Sequence, residues 1–550
     1  MNHLNTSMDL RSEIKEFFKG DVEDDAHARG ESSHDASIFE VRPSLIVHPK
    51  DVDDVKGLVR YLSGKTGSGM SVTARSAGTD MSGGTLTESV VMEFTRYFGH
   101  LKEIGDGYAI TEPGVYYRDF EKETLSRGWL LPTYPASREI CTVGGMAANN
   151  SGGEKSLRYG KTEDFVRRLK VVLCDGKEHV LEPLSKEQLD GKMAQATFEG
   201  ELYRRVFRLV ADNRDLIMKA KPDVSKNSAG YYLWNVWDGR TFDLTRLFVG
   251  SQGTLGLITE ITFRLIRPAS HSKLVAIFLK DMEPLPALVE TVLRHRPESF
   301  ESYDDYTLKF AMRYSRDIMA AMGAKSAFSL FRRFLPEIGM ILTRGFPKLV
   351  MLAEFTGMTE EEVDAKIAAA MKDLARFRLP VRVTRTEEEA KKYWVIRRES
   401  FNLLRKHFKK KKAAPFVDDL CVKPAVLSEF LPKLYAVLGG YGLTLTVVGH
   451  VGDGNFHIIP LMDLSRPGAK DVIREISSRV YSLVFQYGGT TTGEHNDGLV
   501  RSPYLREMYG DEVYGLFEEV KRIFDPDGIF NPGKKVGSDL EYALAHLKKD

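Results

Sequence analysis

Cysteine is almost missing from this chain. The three present, Cys141, Cys174 and Cys421, lie far apart and form no CxxC pair. That excludes a disulfide framework, a zinc ribbon and a cysteine-held iron–sulfur cluster built from these residues alone, and it points to a reducing compartment. Charge imbalance is missing too: 78 basic residues face 77 acidic ones, so no global field draws in nucleic acid. No run of 18 uninterrupted apolar residues occurs, and "MNHLNTSMDLRSEIKEFF" scatters charge where a signal peptide needs an apolar stretch. The expected location is the cytoplasm, with peripheral contact at the inner face of a membrane left open. What remains is ordinary globular composition, 42% hydrophobic and 28% charged, in a chain of 550 residues. That length predicts two or three domains, each with its own core.

Residues 20 to 40 are polar and acidic and read as a surface arm. Past Pro49, Val52, Val55, Leu58, Val59 and Leu62 recur at helical spacing. Short strand-like runs follow, among them "SVTAR", "SVVMEF" and "YAIT", together with a hairpin around Asp175–Gly176. Three glycine-rich stretches punctuate this half: "SAGTDMSGG", "TVGGMAANNSGG" and "VGSQGTLG". Such loops let backbone N–H groups approach phosphate oxygens. None is a Walker loop or a Rossmann GxGxxG, so a nicotinamide enzyme of that type is unsupported. From 269 the texture changes to strands and helices in alternation, with no evident repeat period. The stretch 306–348 is an amphipathic insertion that reads as helices covering the second domain, with membrane contact left open.

Polar residues concentrate in "GHVGDGNFH", Gly449 to His457. Its glycines disfavour a helix, strand-like runs flank it, and Asp453–Gly454 is a preferred two-residue hairpin loop. A hairpin centred there sets His450 directly opposite His457, with Cβ atoms roughly 4.5–5.5 Å apart, close enough for two imidazoles to share a metal ion. Downstream, "GEHNDG" places Glu494 and His495 side by side, facing opposite ways in extended chain. Two histidines and a carboxylate leave an open position on a divalent ion, as catalytic sites do. The plainer reading, two satisfied core histidines, is outweighed by the flanking Asp453, Asn455 and "GEH".

Together, "RPSLIVHPKD", "ARSAGTDMSGG", "PASREICTVGGMAANNSGG", "LRYGKTEDFV", "VGSQGTLGLITE", "GHVGDGNFH", "GEHNDG" and "DPDGIFNPGK" resemble the FAD-linked dehydrogenases of D-2-hydroxy acids, in the vanillyl-alcohol-oxidase-like superfamily. The resemblance runs from about Ser37 to Lys535. It implies an α+β fold: a two-subdomain PCMH-type FAD-binding domain over 41–268 after an N-terminal arm, 1–40, and a ferredoxin-like α+β cap over 269–520. A C-terminal segment, 521–550, returns to the FAD domain. Arg75, Ser76, Ala77, Gly78, Thr79 and Asp80 would hold the flavin diphosphate and ribityl chain, with Ser137, Thr142, Gly144, Gly145, Asn149, Ser151 and Gly152. Ile258 and Asn531 would lie near the adenine and isoalloxazine portions. "RSAGTD" has no histidine for a covalent link, so dissociable FAD is expected.

The same resemblance makes His450, His457 and Glu494 ligands of a zinc-like ion and His495 the catalytic base. "YWVIRRES" matches a segment that clamps the substrate carboxylate, pointing to Arg398, with Arg397 as the fallback. The implied activity is oxidation of a D-2-hydroxy acid, D-lactate or a close analogue first. Electrons would then pass to a quinone, an electron-transfer flavoprotein, a cytochrome or a separate iron–sulfur subunit. The rivals are a D-2-hydroxyglutarate or glycolate dehydrogenase, an ether-lipid synthase, and a non-catalytic flavin-binding subunit of a respiratory complex. Several positions depart from the pattern. Gln252 stands where many relatives have glutamate, Met146 where asparagine is common, and "ND" follows His495 where Gly-Ile is usual. Val417 falls about where the hydroxyglutarate branch has a lysine. Lysines 409–412 read as solvated, or as a patch for an acidic partner or lipid headgroups.

Overall fold

The computed structural model describes residues 10–65, 67–322, 327–407 and 412–548. Lysines 409–411 fall outside these residues, as do the side chains of Lys412 and of 327–333 in the insertion.

Strands β1 (Asp21–Glu23), β2 (Leu45–His48), β3 (Val72–Arg75) and β4 (Val90–Glu93) form a sheet in the order β1-β2-β4-β3. β2 and β3 both run parallel to β4. Strands that run the same way need a crossover, and helix α1 (Val52–Ser63) supplies it between β2 and β3. Asp51 caps α1 by accepting the N–H groups of Asp53 and Asp54, and Val55, Leu58, Val59 and Leu62 bury its apolar stripe. The stretch expected as a surface arm is instead built in. β1 pairs with β2 through Val22, and Ile38 and Phe39 are buried in the core of the second half of the molecule. Two short apolar insertions in polar sequence are enough to anchor it.

A second, antiparallel sheet contains β5 (Leu101–Gly105), β6 (Tyr108–Thr111), β7 (Val166–Val172), β8 (Glu178–Leu181) and β9 (Leu257–Arg264), ordered β5-β6-β9-β7-β8. β7 and β8 form the hairpin expected around Asp175–Gly176, with Gly176 at φ 66°. Helix α2 (Val143–Asn149), which packs Val143, Met146 and Ala147 into the core of this second sheet, carries the second glycine-rich stretch.

The second half is one long sheet made of two βαββαβ units side by side. In the first, β10 (His271–Leu279), α3 (Leu285–Arg294), β11 (Ser299–Asp304), β12 (Leu349–Gly357), α7 (Glu360–Leu374) and β13 (Val381–Val383) give the strand order β13-β10-β12-β11. The insertion between β11 and β12 forms α4 (Asp305–Arg313), α5 (Ser315–Ala321) and α6 (Ala327–Arg344). Helix α8 (Glu387–His407) then leads to the second unit. There β14 (Leu420–Cys421), α9 (Leu427–Gly439), β15 (Thr444–His450), β16 (Asn455–Met462) and α10 (Ala469–Gln486) repeat the pattern, with Thr490 bridging Cys421 in place of the last strand. The units join where β11 pairs with β15, Ser302 to Gly449 and Tyr303 to Val448.

Alternation along β15 divides the two faces of this sheet. Val447 packs beneath α3, α7, α9 and α10, whereas Val448 lies on the opposite face with Leu274, Leu352 and Trp394. On that face α8 and the insertion's Ala311, Ile318 and Met322 cover the first unit, as the reading of 306–348 anticipates. They leave the seam between units open toward the N-terminal half. No helix among the described residues is long and apolar enough to cross a membrane.

The chain leaves this half earlier than position 520. Helix α11 (Leu505–Phe524) already packs Val513, Phe517 and Val520 into the N-terminal half. Beyond it the Ile529 carbonyl accepts the Val72 N–H at 2.7 Å, and Asn531 N–H donates to the Val72 carbonyl at 3.0 Å, extending the first sheet.

Candidate active site

A cavity of about 970 Å³ runs between the two halves. Arg75 to Asp80, Ser137, Thr142, Gly144, Gly145, Asn149, Ser151, Gly152 and Ile258 all line it, and so do Arg398, His450, His457, Glu494 and His495. Asn531 does not. It sits fully buried behind the wall at φ 41°, its amide donating to the carbonyls of Gly84 and Gln252 while its oxygen accepts from Thr73. It pins the cavity wall.

At one end the chain folds so that its backbone is presented. Gly78 takes φ 65°, and the N–H groups of Ser76, Ala77, Gly78 and Thr79 have no partner among the described residues. Successive unpaired amides around a left-handed residue make a concave anion site. The Asp80 carboxylate faces inward and holds the loop, accepting from Gly84 N–H at 2.6 Å and from the Asn149 amide at 2.9 Å. Small residues also let other segments approach: a Cβ at Gly144 would stand 2.5 Å from the Pro113 carbonyl oxygen. An extended, phosphate-bearing cofactor fits such a cradle.

At the other end the hairpin closes with a four-residue loop, 451–454, two residues longer on its N-terminal side than expected. His450 pairs with Asn455, and His457 pairs with Val448. A slip of two residues keeps every side chain on its face, so the two histidines remain together as diagonal neighbours. Their rings stand 5.2 Å apart at 85°. His450 Nε2 lies 3.0 Å and His457 Nε2 3.4 Å from Glu494 Oε1. Those separations suit three donors around one ion with bonds of about 2.0–2.2 Å. The far nitrogens face carboxylates: His450 Nδ1 is hydrogen-bonded to Glu301 at 2.6 Å, whereas His457 Nδ1 stands 3.3 Å from Asp418 Oδ1 without a hydrogen bond. Metal-ligating histidines are oriented in this way. Asp419, His457, Glu494 and His495 also form a tight group, but Asp419 Oδ2 is occupied by the N–H groups of Glu494 and His495. Asp419 therefore shapes the loop, and His450 is the better third ligand.

The chain bends here instead of running extended, so Glu494 and His495 do not face opposite ways as expected: His495 Nε2 lies 4.0 Å from Glu494 Oε1, in the same cluster. His495 Nδ1 meets Asp418 Oδ2 at 2.7 Å, and its ring stacks on His457 at 4.8 Å. Burial alone would lower its pKa, but Asp419 and Asp418 raise it above the ordinary histidine value. For His457 the same opposition, with Asp418 and Glu494 on the raising side, leaves the ring at about 10. Glu494 is held well below the usual carboxylate range: burial resists this, and Lys226 and His450 outweigh it. Lys226, 1% exposed, reaches Glu494 at 3.0 Å and Asp453 at 3.5 Å. Glu301, Asp418, Asp419, Asp453 and Glu494 outnumber the nearby Lys161, Lys226, Arg397 and Arg501. The raised histidines express that surplus of negative charge, and the donor set fits a divalent cation.

Arg397 is committed to Glu301 at 3.0 Å. Arg398 lies over the Trp394 ring and grips Glu154 with both carboxylate oxygens, at 2.7 and 2.9 Å. Two departures interlock at the wall, where Gln252 lines the cavity and Asn496 does not. Gln252 donates to Ser82 and Asn149 and accepts from Gly498 N–H. Asn496 takes φ 68°, the conformation a glycine would supply, and donates to the carbonyls of Asn149 and Gly250. Asp497 forms a fully buried pair with Lys535 at 2.7 Å. Met146 is buried against the cavity, and Val417 lies in the core of the second half rather than beside the histidines. The sequence reading missed Glu301, Asp418, Asp419, Lys226 and Glu154. Only "VDDL" offered a signal, two adjacent acids inside an apolar strand run.

Residues 43–182 match the family described as FAD binding domain, and 268–535 match FAD linked oxidases, C-terminal domain. D-2-hydroxyglutarate dehydrogenase of Pseudomonas putida is 28% identical over 525 residues, covering 94% of this chain and 50% of that protein. D-lactate dehydrogenase of Archaeoglobus fulgidus is 26% identical over 495 residues, covering 90% of this chain and 91% of that one. The chain thus spans about half the length of the hydroxyglutarate enzyme it matches. Among solved structures, p-cresol methylhydroxylase with substrate bound aligns over 98% of each chain with a TM-score of 0.67 at 15% identity. That likeness establishes the α+β fold alone.

Proposed function

From a chain that carries an FAD binding domain and the C-terminal domain of FAD linked oxidases, we propose an FAD-dependent dehydrogenase that oxidises a D-2-hydroxy acid to the 2-oxo acid. The observation that carries this is the meeting of His450, His457 and Glu494 with the His495–Asp418 pair at one end of the cofactor cavity. When bound, a divalent ion, zinc first, acidifies a hydroxyl, and FAD takes up the two electrons. Asp418 holds His495 by Nδ1, which leaves Nε2 to receive the hydroxyl proton. Arg398 clamps the acid's carboxylate, exchanging Glu154 for it. Glu301 fixes the His450 imidazole by its hydrogen bond, and Asp418 lies beside that of His457.

Val448 and Ile459 line the same wall, which favours a small apolar side chain and hence D-lactate or a close analogue over D-2-hydroxyglutarate or glycolate. Arg75, Asp80, Asn149 and the other cavity residues hold dissociable FAD, with Asn531 supporting them from behind. Three separated cysteines make no cluster, so the electrons leave to a quinone, an electron-transfer flavoprotein, a cytochrome or a separate iron–sulfur subunit. Cytoplasmic residence with peripheral membrane contact belongs to the same proposal, and Leu342, 81% exposed on α6, supports the contact.

The test is anaerobic mixing of the yellow protein with D-lactate, L-lactate, glycolate and D-2-hydroxyglutarate. The expected result is rapid loss of the visible flavin band with D-lactate and none with its enantiomer. If no acid bleaches the flavin, a non-catalytic flavin-binding subunit replaces this reading.

A further inference from the structure

One carboxyl on the cavity wall has no role in the site described above. Asp35 belongs to the N-terminal segment and lines the cavity beside Arg75 and Asp80. It is 8% exposed, and Oδ1 accepts the Ser37 N–H at 2.9 Å. Oδ2 is buried and has no hydrogen-bond partner among the described residues. Buried polar atoms are almost always partnered, so an orphan at the wall of a ligand cavity calls for a ligand atom. The segment is held firmly in place. Ala36 N–H donates to the Asp80 carbonyl at 2.9 Å, Arg75 donates to the His34 carbonyl at 2.8 Å, and Lys548 ties the carbonyls of Asp35 and Ser37 to the C-terminus. The adjoining loop offers the unpaired amides of Ser76 to Thr79.

We propose that Asp35 is a cofactor-binding residue, its Oδ2 donating a hydrogen bond to the diphosphate of the bound flavin nucleotide.

The inference rests on the FAD binding domain and on the amide nest marking the diphosphate end. Ionic repulsion decides the protonation state. Burial and the neighbouring Asp80 already raise Asp35 to about 7, and a diphosphate would raise it further. The other charged groups around it are Glu31 and His34 on its own segment, Arg75 on the facing strand, and Lys534 and Lys548 from the C-terminal segment. The neutral acid can donate to a phosphate oxygen, whereas the carboxylate repels it. FAD affinity should therefore be full below neutral pH and fall as the pH rises past 7, because protonated Asp35 is the binding form. The apo protein bears the cost of an unpartnered carboxyl that the cofactor satisfies.

The experiment strips FAD from the full chain and measures its rebinding by flavin fluorescence across pH 6 to 9, with thermal melting of the apo and reconstituted forms. Asp35→Ala should weaken FAD about tenfold at pH 6, the scale of one lost charge-assisted hydrogen bond. Its apo form should melt at or above the wild-type temperature, since the orphan is gone. Asp35→Asn, whose amide still donates, should bind within a few-fold of wild type at pH 6 and lose the decline above 7. Wild-type FAD affinity in Asp35→Ala, or equal loss of melting temperature in its apo and reconstituted forms, would overturn the inference. A decline above pH 7 that survives in Asp35→Asn would do the same. A wild type that takes up no FAD would sink the FAD reading beneath it, a distinguishable failure.

Discussion

At the glycine-rich end of the cavity most of the groups offered to a ligand are backbone amides, brought forward by Gly78 at φ 65° and by the close approach at Gly144, with Asp35 beside them. At the histidine end the donors are side chains, buried except for the partly exposed His495, and they come from β11, the segment before β14, β15, β16 and the loop after α10. The first end depends on a short local sequence. The second depends on the seam between two βαββαβ units, where Glu301 of one unit meets His450 of the other at 2.6 Å. A substitution at the glycine end should disturb one ligand locally, whereas a substitution at the seam should propagate through coupled charges.

The sharpest separation of the two ends is expected from His495→Asn. Turnover should fall by roughly 100- to 10,000-fold, the usual worth of a general base, while FAD stays bound and metal content is unchanged; stopped-flow reduction with retained absorbance checks it. Lys226→Met removes the buried cation beside Glu494 and should cost about 3–5 kcal/mol of stability, because an unpaired carboxylate is left inside, read as a lowered midpoint in denaturant. Glu301→Gln should lower metal affinity about 10- to 100-fold through the loosened His450 ring, with FAD affinity untouched, measured by competition with a chelator. The smallest effect is expected at the other end. Gly78→Ala places a side chain in the left-handed region, at about 1–2 kcal/mol, and 2.2 Å from a movable Arg75 guanidinium nitrogen. FAD should bind more weakly there while metal content holds. Equal loss of both ligands in any of these variants would break the contrast.

This contrast also explains what could be read from sequence. The glycine loops, the α1 stripe and the hairpin are local patterns, so they were legible. The hairpin register was misjudged by two residues without moving either histidine off its face. The repeat was not legible, because the insertion 305–344 splits the first unit and the second replaces its last strand with a single bridge at Thr490. Lys226 in "KPDVSKNSAG" reads as loop polarity, and Glu301 in "ESFESYD" reads as the wet side of a strand. Only packing between distant segments shows that both are buried. The N-terminal stretch was misread for the same reason: Ile38 and Phe39 find their core more than 200 positions away.

The most direct measurement is a metal titration of flavin reduction. Metal-stripped holoprotein is mixed anaerobically with the best acid from the panel, before and after stoichiometric return of zinc. The expected result is a flavin band that persists until one equivalent of metal is restored and then bleaches. Full-rate bleaching of protein shown by elemental analysis to hold no metal would contradict the assignment of His450, His457 and Glu494.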